Sequence, residues 1–208
     1  MKKIVLIGYG GHANGILDTI RQKEEYEVVG YTDNKPLKEN TKYPYLGNDD
    51  VLQRIFDEGV HYAAICVGYL GNSNIRDVLY GIVKTIGFQI PAIIDKTAIL
   101  ADDILIGEGS YIGKGAIVNA KSNIGKMCII NSGAVIEHES HVKDFTHVSV
   151  NAVLCGNVVL EDHVFIGANA TIIQDIQIHH HSRIGAGSVI LKDVPKEMTV
   201  YGIWKGSL

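Results

Sequence analysis

Residues 130–160 read INSGAVIEHESHVKDFTHVSVNAVLCGNVVL, and every sixth residue of this stretch, counted from its first, is aliphatic. The pattern runs without a break from Ile94 to Ile190, where all 17 positions hold Ile, Leu or Val. Four residues after each of them stands Ala, Ser, Thr, Cys, Val or Ile. A period of six fits neither an α-helix nor an isolated strand, whose side chains alternate. It is typical of a solenoid in which each flat face takes one hexad.

Three hexads close one triangular coil. Each hexad supplies a short strand with an inward aliphatic side chain, then a corner where Gly or another small residue lets the chain bend. Residue n therefore stacks on residue n+18, and successive coils lie roughly 4.8 Å apart. The alternative, a β-sandwich, requires turns at irregular spacing and strands of varied length. We predict an all-β parallel β-helix of hexapeptide repeats over residues 94–195, followed by a C-terminal tail, residues 196–208.

Residues 1–93 alternate strands with helices. The predicted strands are KKIVLIG (2–8), EVVGYTD (27–33), YAAICVG (62–68) and FQIPAII (88–94), and the predicted helices span residues 11–23, 49–58 and 72–85. Unbroken apolar strands separated by helices indicate a small parallel sheet covered by helices. The predicted fold is therefore an α/β, Rossmann-like N-terminal domain followed by the β-helix.

A glycine-rich turn follows the first strand. Residues 8–13 read GYGGHA and fit G-x-G-x-x-[G/A], and Asp33 ends the second strand. Such glycines allow a close backbone approach, and the helix N-terminus binds a pyrophosphate. The domain is long enough for one mononucleotide-binding half, so we expect a diphosphate site for one nucleotide, with Gly68 facing the same crevice. Two alternatives remain: the glycines serve only strand–helix packing, or the motif belongs to a nicotinamide-dependent oxidoreductase.

Composition argues against several classes of protein. The net charge is −4 and 20% of the residues are charged, which does not favour a nucleic-acid footprint or a basic membrane patch. The apolar stretch at the N-terminus is too short for a membrane span or a secretory signal. Cys66, Cys128 and Cys155 show no paired spacing, and this favours a reducing, cytoplasmic location.

Polar residues crowd onto one part of the predicted β-helix. His138 lies one coil before Gly156, so a candidate general base and a candidate backbone N–H donor are one rung apart. Glu139 follows directly and is placed to orient the imidazole. Asn131 adds a possible polar contact. His147 is half a coil from His138, so it can meet only the His138 of a neighbouring chain.

Other interpretations of these polar residues remain open. A histidine on a solenoid surface is often only solvated. His163 and His181 lie one coil apart beside two further histidines, which invites a metal interpretation, but a metal site needs three or four convergent donors. No two histidines have the His-x4-His spacing of hexapeptide-repeat carbonic anhydrases, and we expect no metal. Cys155 offers a covalent route, but no base adjoins it along the chain.

The chain resembles bacterial hexapeptide-repeat sugar acyltransferases with an N-terminal nucleotide-binding domain. The pattern VIEHE…F-x-HVSV…C-x-GNV, within residues 135–158, carries the resemblance most specifically. The most similar members are the UDP-4-amino-sugar N-acetyltransferases of bacillosamine biosynthesis, and the family also includes sialic acid O-acetyltransferases and perosamine-type N-acetyltransferases. The resemblance implies a left-handed β-helix, a homotrimer with active sites between subunits, and transfer of acetyl from acetyl-CoA to a nucleotide-linked amino sugar, with UDP as the nucleotide.

The resemblance also implies roles for single residues. His138 matches the general base, Glu139 its partner, and Gly156 the amide that stabilises the oxyanion. The acetyl-CoA contacts fall on His147, Ala168 and Ala186. The nucleotide-sugar contacts fall on Gly10, Gly11, His12, Asp33, Asn34 and Gly68.

The sequence departs from the family pattern at two places. Asn34 stands where a second acidic residue is usual, and the chain ends in YGIWKGSL, with Trp204, where the family has G-x-P-A-K. We expect Trp204 either to stack on adenine or to pack on a neighbour. The alternative functions are O-acetylation of sialic acid or another capsular sugar, and a non-catalytic scaffold that binds a nucleotide sugar.

Overall fold

The computed structural model describes residues 1–36, 41–71 and 73–206, which belong to two compact units. The first unit comprises Met1–Gly68 and Ser73–Ile93, and the second comprises Tyr69–Asn72 and Ile94–Leu208. The short segment that begins at Tyr69 therefore packs with the second unit, although it lies inside the range predicted for the first domain.

The first unit is the predicted parallel sheet with helices. Its strands are β1 (Lys2–Ile7), β2 (Tyr26–Thr32), β3 (Tyr45–Gly47) and β4 (Tyr62–Ile65), paired in parallel in the order β3-β2-β1-β4. The helices are α1 (Gly11–Lys23), α2 (Leu52–Asp57) after a 3₁₀ turn at Asp49–Val51, and α3 (Ile75–Ile86). Asn72, the predicted start of the third helix, lies outside the described residues. Within residues 1–36, 41–71 and 73–206, none of the helices has the length and hydropathy that a membrane crossing requires.

The fourth strand of this sheet is not the predicted one. β3 supplies it, whereas the predicted strand at residues 88–94 contributes only a bridge between Gln89 and Tyr62. Pro91 has no N–H to donate to a ladder, and it interrupts that apolar run. β3 is only three residues long, so no alternating pattern marks it in the sequence.

The second unit is a left-handed parallel β-helix, as predicted. Its two-residue strands pair in parallel with strands one coil away and form three faces. The first face holds β7 (Leu105–Ile106), β10 (Asn123–Ile124), β13 (His141–Val142), β16 (Val159–Leu160) and β19 (Gln177–Ile178). The second face holds β8 (Tyr111–Ile112), β11 (Ile129–Ile130), β14 (His147–Val148), β17 (Phe165–Ile166), β20 (Arg183–Ile184) and β22 (Thr199–Val200). The third face holds β6 (Ile99–Leu100), β9 (Ile117–Val118), β12 (Val135–Ile136), β15 (Val153–Leu154), β18 (Thr171–Ile172), β21 (Val189–Ile190) and β23 (Ile203–Trp204). β5 (Ile93–Ile94) stands where the two units join in the sequence.

The last coil is shorter than the others. Register pairs Arg183 with Thr199, a spacing of 16 residues, whereas Phe165 pairs with Arg183 across the regular spacing of 18. The segment predicted as a tail therefore adds two strands to the stack, β22 and β23, after the six-residue period has ended. The spacing falls to 16 residues for β22 and to 14 for β23, where Val189 pairs with Ile203, and these two shortenings hide both strands from the repeat.

Stacked aliphatic side chains fill the β-helix. The inward residues from Ile112 to Ile190 are at most 2% exposed and form one continuous cluster. Where the small position four residues later carries a hydroxyl, that hydroxyl is buried, and it donates to a carbonyl at Ser110, Ser122, Ser140, Thr146 and Ser182. The Ser110 Oγ donates to the Gly125 carbonyl at 2.7 Å, for example. Burial of these polar groups is therefore compensated by hydrogen bonds.

The corners turn through left-handed residues, most of which are not glycine. Every sixth residue from Gly109 to Gly187 has φ between 54° and 70°. This region costs an L-residue roughly 1–2 kcal/mol. A backbone bond between coils offsets that cost: the Glu139 N–H donates to the Ala120 carbonyl at 2.9 Å, and the same bond recurs from rung to rung.

Glycines that directly follow the inward residue serve a different purpose. A Cβ on Gly107 would lie 2.5 Å from the backbone carbonyl carbon of Gly125, and a Cβ on Gly167 would lie 2.5 Å from the backbone nitrogen of Ala186. These positions need glycine because consecutive rungs approach closely there.

Candidate active site

His138 and Gly156 meet at one corner of the β-helix. His138 comes two residues after β12 and Gly156 two residues after β15, and these strands are neighbours on the third face. The imidazole lies over the glycine, because a Cβ built on Gly156 would stand 2.6 Å from Cε1 and 2.7 Å from Nε2 of His138. The structure thus brings the two residues together as the 18-residue coil predicts, and only glycine leaves room for the ring.

Glu139 lies beside the His138 ring. Its Oε2 lies 3.4 Å from His138 Nδ1, and Lys121 Nζ lies 3.7 Å from its Oε1. Both side chains of the His138–Glu139 pair are more than half exposed, so solvent screens this attraction. In the tautomer that carries its hydrogen on Nδ1, facing the carboxylate, Nε2 bears the lone pair. That lone pair belongs to the nitrogen nearest Gly156.

The peptide between Cys155 and Gly156 is held from inside the β-helix. The Cys155 carbonyl accepts a hydrogen bond from Ser140 Oγ at 3.1 Å. Among the residues that the structure describes, the Gly156 N–H donates to none, whereas the next N–H, on Asn157, donates to the His138 carbonyl at 2.9 Å. A backbone donor next to the imidazole is therefore available to a ligand.

His147 and Asn131 lie together on the second face. His147 is 7% exposed, and its Nδ1 donates to the Tyr69 carbonyl at 2.6 Å. Since a carbonyl only accepts, Nδ1 holds the hydrogen and Nε2 is left to accept from Asn131 Nδ2 at 3.4 Å. The structure therefore joins Asn131 to His147 and does not bring it to the His138 of the same chain. The Tyr69 contact was not foreseeable, since no pattern links the two positions.

Ala168 and Ala186 stack at the corner between the second and third faces. The Gly187 N–H donates to the Ala168 carbonyl at 2.8 Å and fixes the rung spacing there. A cavity of about 250 Å³ adjoins this corner, and its walls are Leu70, Phe165, Arg183, Ile184, Gly185, Ala186, Thr199 and Tyr201.

Two polar side chains of this cavity were missed in the sequence. Arg183 Nε donates to Thr199 Oγ1 at 3.1 Å, and this bond holds the guanidinium at the cavity. Tyr201 is 77% exposed, and its ring covers Gly185, where a Cβ would lie 2.3 Å from the ring. Trp204, by contrast, donates its indole N–H to the Asp193 carbonyl at 3.0 Å and packs on the core. The exposed aromatic ring of the C-terminal segment is therefore Tyr201.

The glycine-rich turn leads into α1 in the first unit. Gly8 serves packing: its φ is +83°, and a Cβ there would lie 2.7 Å from Val67 Cγ2. Gly10 and Gly11 differ, because a Cβ on either would meet no atom within 4 Å. Strand–helix packing explains the first glycine and leaves the other two unexplained. Their bare backbone faces open space at the start of a helix.

The remaining predicted nucleotide residues surround this turn. Asp33 ties it to the end of β2, since Oδ2 accepts the Tyr9 N–H at 2.9 Å and Oδ1 accepts the Asn34 N–H at 2.8 Å. Gly68 lies beside His12, because a Cβ built on Gly68 would stand 3.8 Å from the Cβ of His12. The structure thus gathers these residues at the carboxyl ends of β1, β2 and β4, where open α/β sheets bind ligands.

A second polar cluster surrounds Glu161 on the β-helix. Burial alone would raise the pKa of this carboxyl group, but the His180 N–H and imidazole, the Gln177 amide and the His179 charge lower it to about 2. The rings of His163 and His181 stack at 4.7 Å. Within the described part of the chain, no three His, Cys, Asp or Glu side chains converge as metal ligands.

Two family models match the chain. The PglD N-terminal domain matches residues 3–83, and the bacterial transferase hexapeptide (six repeats) matches residues 157–192. The comparison with curated proteins found no match.

Solved structures resemble nearly the whole chain. A mutant of the GDP-perosamine N-acetyl transferase from Caulobacter crescentus, solved in complex with CoA and GDP-perosamine, is 27% identical, with a TM-score of 0.91 over 97% of this chain and 94% of that one. The acetyltransferase domain of PglB from Neisseria gonorrhoeae is 28% identical, with a TM-score of 0.90 over 97% of each chain, and it has also been solved in complex with acetyl coenzyme A. The chain therefore combines a PglD N-terminal domain with hexapeptide repeats in this order, and along almost its full length it is similar to structures named as sugar acetyltransferases.

Proposed function

We propose that this protein transfers the acetyl group of acetyl-CoA to the amino group of a nucleotide-linked amino sugar. The observation that carries the proposal is the position of His138 Nε2 over Gly156, whose N–H has no acceptor among the described residues. A base and an oxyanion donor thereby face one reacting centre. The resemblance to enzymes named as N-acetyltransferases, one of them solved with CoA and GDP-perosamine, supports the choice of substrates.

The proposed reaction is a direct attack without a covalent enzyme intermediate. The sugar amine attacks the thioester carbonyl carbon, and a C–N bond forms. His138 Nε2 takes the proton from the amine, while Glu139 stabilises the imidazolium. The Gly156 N–H donates to the oxyanion of the tetrahedral intermediate. When the C–S bond breaks, the departing thiolate of CoA takes the proton from His138, and the ring is neutral again.

We assign the nucleotide to the glycine-rich turn of the first unit. α1 has no side-chain cap and no acidic residue in its first turn, so its N-terminal N–H groups and its dipole suit a diphosphate. The open space around Gly10 and Gly11 supports a close approach of phosphate to the backbone. In this proposal His12, Gly68, Asp33 and Asn34 line the same site. A UDP-linked 4-amino sugar is the first acceptor to test, and a GDP-linked one the second.

We assign acetyl-CoA to the corner that carries Ala168 and Ala186. His147 lies two rungs from Arg183 on the second face, roughly 10 Å at the usual strand spacing. An extended pantetheine arm can cover that distance. In this proposal the acetyl end lies near the Nε2 edge of His147. The adenosine end reaches the cavity with Arg183 and Tyr201, because guanidinium groups bind phosphate and an exposed ring stacks on a base.

We further propose a homotrimer with active sites between subunits. His138 and His147 lie on different parts of one chain, so a site that uses both needs two chains. The third face supports this assembly because its outward residues are aliphatic apart from one threonine: Ile99, Ile117, Val135, Val153, Thr171, Val189 and Ile203. Light scattering tests it, since a single-chain mass with full activity would contradict a shared site.

Product analysis tests the choice of acceptor atom. The expected product has one acetyl group on nitrogen, and mass spectrometry with mild alkaline treatment identifies it, because an amide survives conditions that cleave an ester. An alkali-labile acetyl group would favour the alternative O-acetyltransferase. Nucleotide-sugar binding without any transfer would favour the non-catalytic scaffold.

A further inference from the structure

Ser140 is a buried hydroxyl behind the peptide that carries the Gly156 N–H. It is 0% exposed. Its Oγ donates to the Cys155 carbonyl at 3.1 Å and accepts from the Val158 N–H at 3.2 Å. Because the Val158 N–H is itself a donor, the hydroxyl hydrogen is committed to the Cys155 carbonyl. The two bonds clamp the chain on both sides of Gly156.

The bond to the carbonyl also sets the direction of the N–H. The Cys155 C=O and the Gly156 N–H belong to one planar peptide, and in a trans peptide they point in opposite directions. No described peptide bond in the chain is cis. A carbonyl turned inward to the buried Ser140 therefore turns the Gly156 N–H outward, and the exposed His138 ring lies over the same glycine.

We infer that Ser140 is a positioning residue for acetyl transfer, because it holds the Gly156 N–H in the direction that an oxyanion donor requires. The inference rests on the proposed function. A donor stabilises a developing oxyanion best when it needs no reorientation during the reaction. Without the Ser140 hydroxyl, the Cys155 carbonyl loses its buried partner, and the peptide is free to tilt.

The same kind of hydrogen bond occurs at Ser110, where there is no reacting centre. A comparison of the two serines therefore distinguishes an effect on the direction of the Gly156 N–H from an effect on stability. Ser110 is also 0% exposed, donates to the Gly125 carbonyl at 2.7 Å and accepts from the Cys128 N–H at 2.8 Å. The N–H of that peptide, on Lys126, donates to Asp144 Oδ1 at 2.9 Å and is not available to a ligand. Ser110→Ala therefore removes an equivalent hydrogen bond far from the chemistry.

The experiment compares Ser140→Ala with Ser110→Ala in acetyl transfer and in thermal unfolding. Both variants lose one buried hydroxyl, so both should lower the unfolding midpoint by similar amounts. Only Ser140→Ala should lower kcat, by roughly tenfold or more. The loss should not exceed the roughly 10²–10³-fold that complete removal of an oxyanion donor costs. The KM for acetyl-CoA should stay within about twofold of wild type, because the donor acts on the intermediate rather than on the bound thioester.

A conservative variant keeps the test decisive. Cys128 occupies an equivalent small position, and its Sγ donates to the Lys143 carbonyl at 3.1 Å, so Ser140→Cys fits the fold and keeps a weaker donor. Its kcat should lie between those of wild type and Ser140→Ala. If Ser140→Ala does not fold, a wild-type kcat for Ser140→Cys overturns the inference and a reduced one supports it.

Failure of this inference is distinct from failure of the proposed function. A wild-type protein that transfers no acetyl group refutes the proposed function itself. An active wild type with equal kcat in Ser140→Ala and Ser110→Ala refutes only the role of Ser140.

Discussion

The His138 imidazole occupies the space that a side chain at position 156 would need, with its Cε1 2.6 Å from where a Cβ on Gly156 would stand. One rung of the β-helix therefore supplies the base, and the next supplies both the room for it and a backbone donor beside it. The two residues are 18 positions apart, so the regular coil alone creates this pair. A shift of one residue in either coil would separate them.

The first prediction concerns Gly156→Ala. The added methyl group must displace the imidazole, so kcat should fall by at least roughly 10²-fold, comparable to the loss of an oxyanion donor. Stability should change little, because the atoms it meets belong to an exposed side chain. Steady-state kinetics and thermal unfolding check both parts. Gly81→Ala, where a Cβ meets nothing within 4 Å, is the control, and full activity of Gly156→Ala would contradict the assigned geometry.

The second prediction concerns the coenzyme cavity. Tyr201→Ala removes the exposed ring, so the Kd for CoA should rise by roughly tenfold, the equivalent of about 1–3 kcal/mol of base stacking. Tyr201→Phe keeps the ring and should bind CoA as wild type does. Arg183→Gln should weaken the binding of CoA more than the binding of dephospho-CoA. The two ligands differ by one phosphate group, which the guanidinium of Arg183 is proposed to bind. Calorimetry measures all three, and equal CoA binding by wild type and Tyr201→Ala would place the adenosine elsewhere.

The third prediction concerns the pH dependence of stability. The folded pKa of Glu161 is about 2, below the ordinary 4.5, so the ionised carboxylate stabilises the folded state above pH 4.5 and this contribution disappears as the pH falls towards 2. Glu161→Gln should cost about 1 kcal/mol of unfolding free energy at neutral pH and progressively less below pH 4.5. Denaturant unfolding between pH 2 and pH 7 measures the difference. Glu58→Gln, which loses only an exposed ion pair, is the control, and a loss independent of pH would contradict the assignment.

The fourth prediction concerns the cysteines. Cys155 is partly exposed, whereas Cys128 and Cys66 are buried. Burial raises the pKa of Cys66 to about 12, and this effect outweighs the opposing effect of the Arg76 charge. A thiol reagent at pH 8 should therefore label Cys155 alone, and mass spectrometry identifies the site. Cys155→Ser should keep its activity, because the proposed attack needs no enzyme nucleophile. A folded but inactive Cys155→Ser would favour a covalent route.

Much of the β-helix could be predicted because its period is set by the inward aliphatic residues alone. That period was sufficient to place His138 against Gly156 without any knowledge of the corners. The left-handed conformation was hidden at Lys121, Glu139 and Phe145, because these residue types do not favour it. Backbone hydrogen bonds between neighbouring coils stabilise the left-handed conformation at these corners. The sequence of a single coil does not reveal such bonds.

The features that escaped prediction depend on contacts between distant positions. The Tyr69 carbonyl reaches His147, 78 residues away along the chain, and no periodic pattern connects them. Arg183 and Tyr201 line one cavity where the spacing between coils has fallen from 18 to 16 residues, and the six-residue period does not predict that change. Ser140 reads in the sequence as one more small residue of the repeat. Its proposed role depends on which peptide its hydroxyl meets.

Thiol release from acetyl-CoA by wild type and His138→Ala tests the role of His138 as the base, with a UDP-linked 4-amino-4,6-dideoxy sugar as acceptor and the GDP-linked sugar as a second acceptor. Thermal unfolding of both proteins confirms that the variant is folded. We expect acceptor-dependent release by wild type and a fall of at least roughly 10²-fold in the variant, the usual contribution of a general base. Equal rates for the two proteins would show that His138 does not remove the proton from the attacking amine.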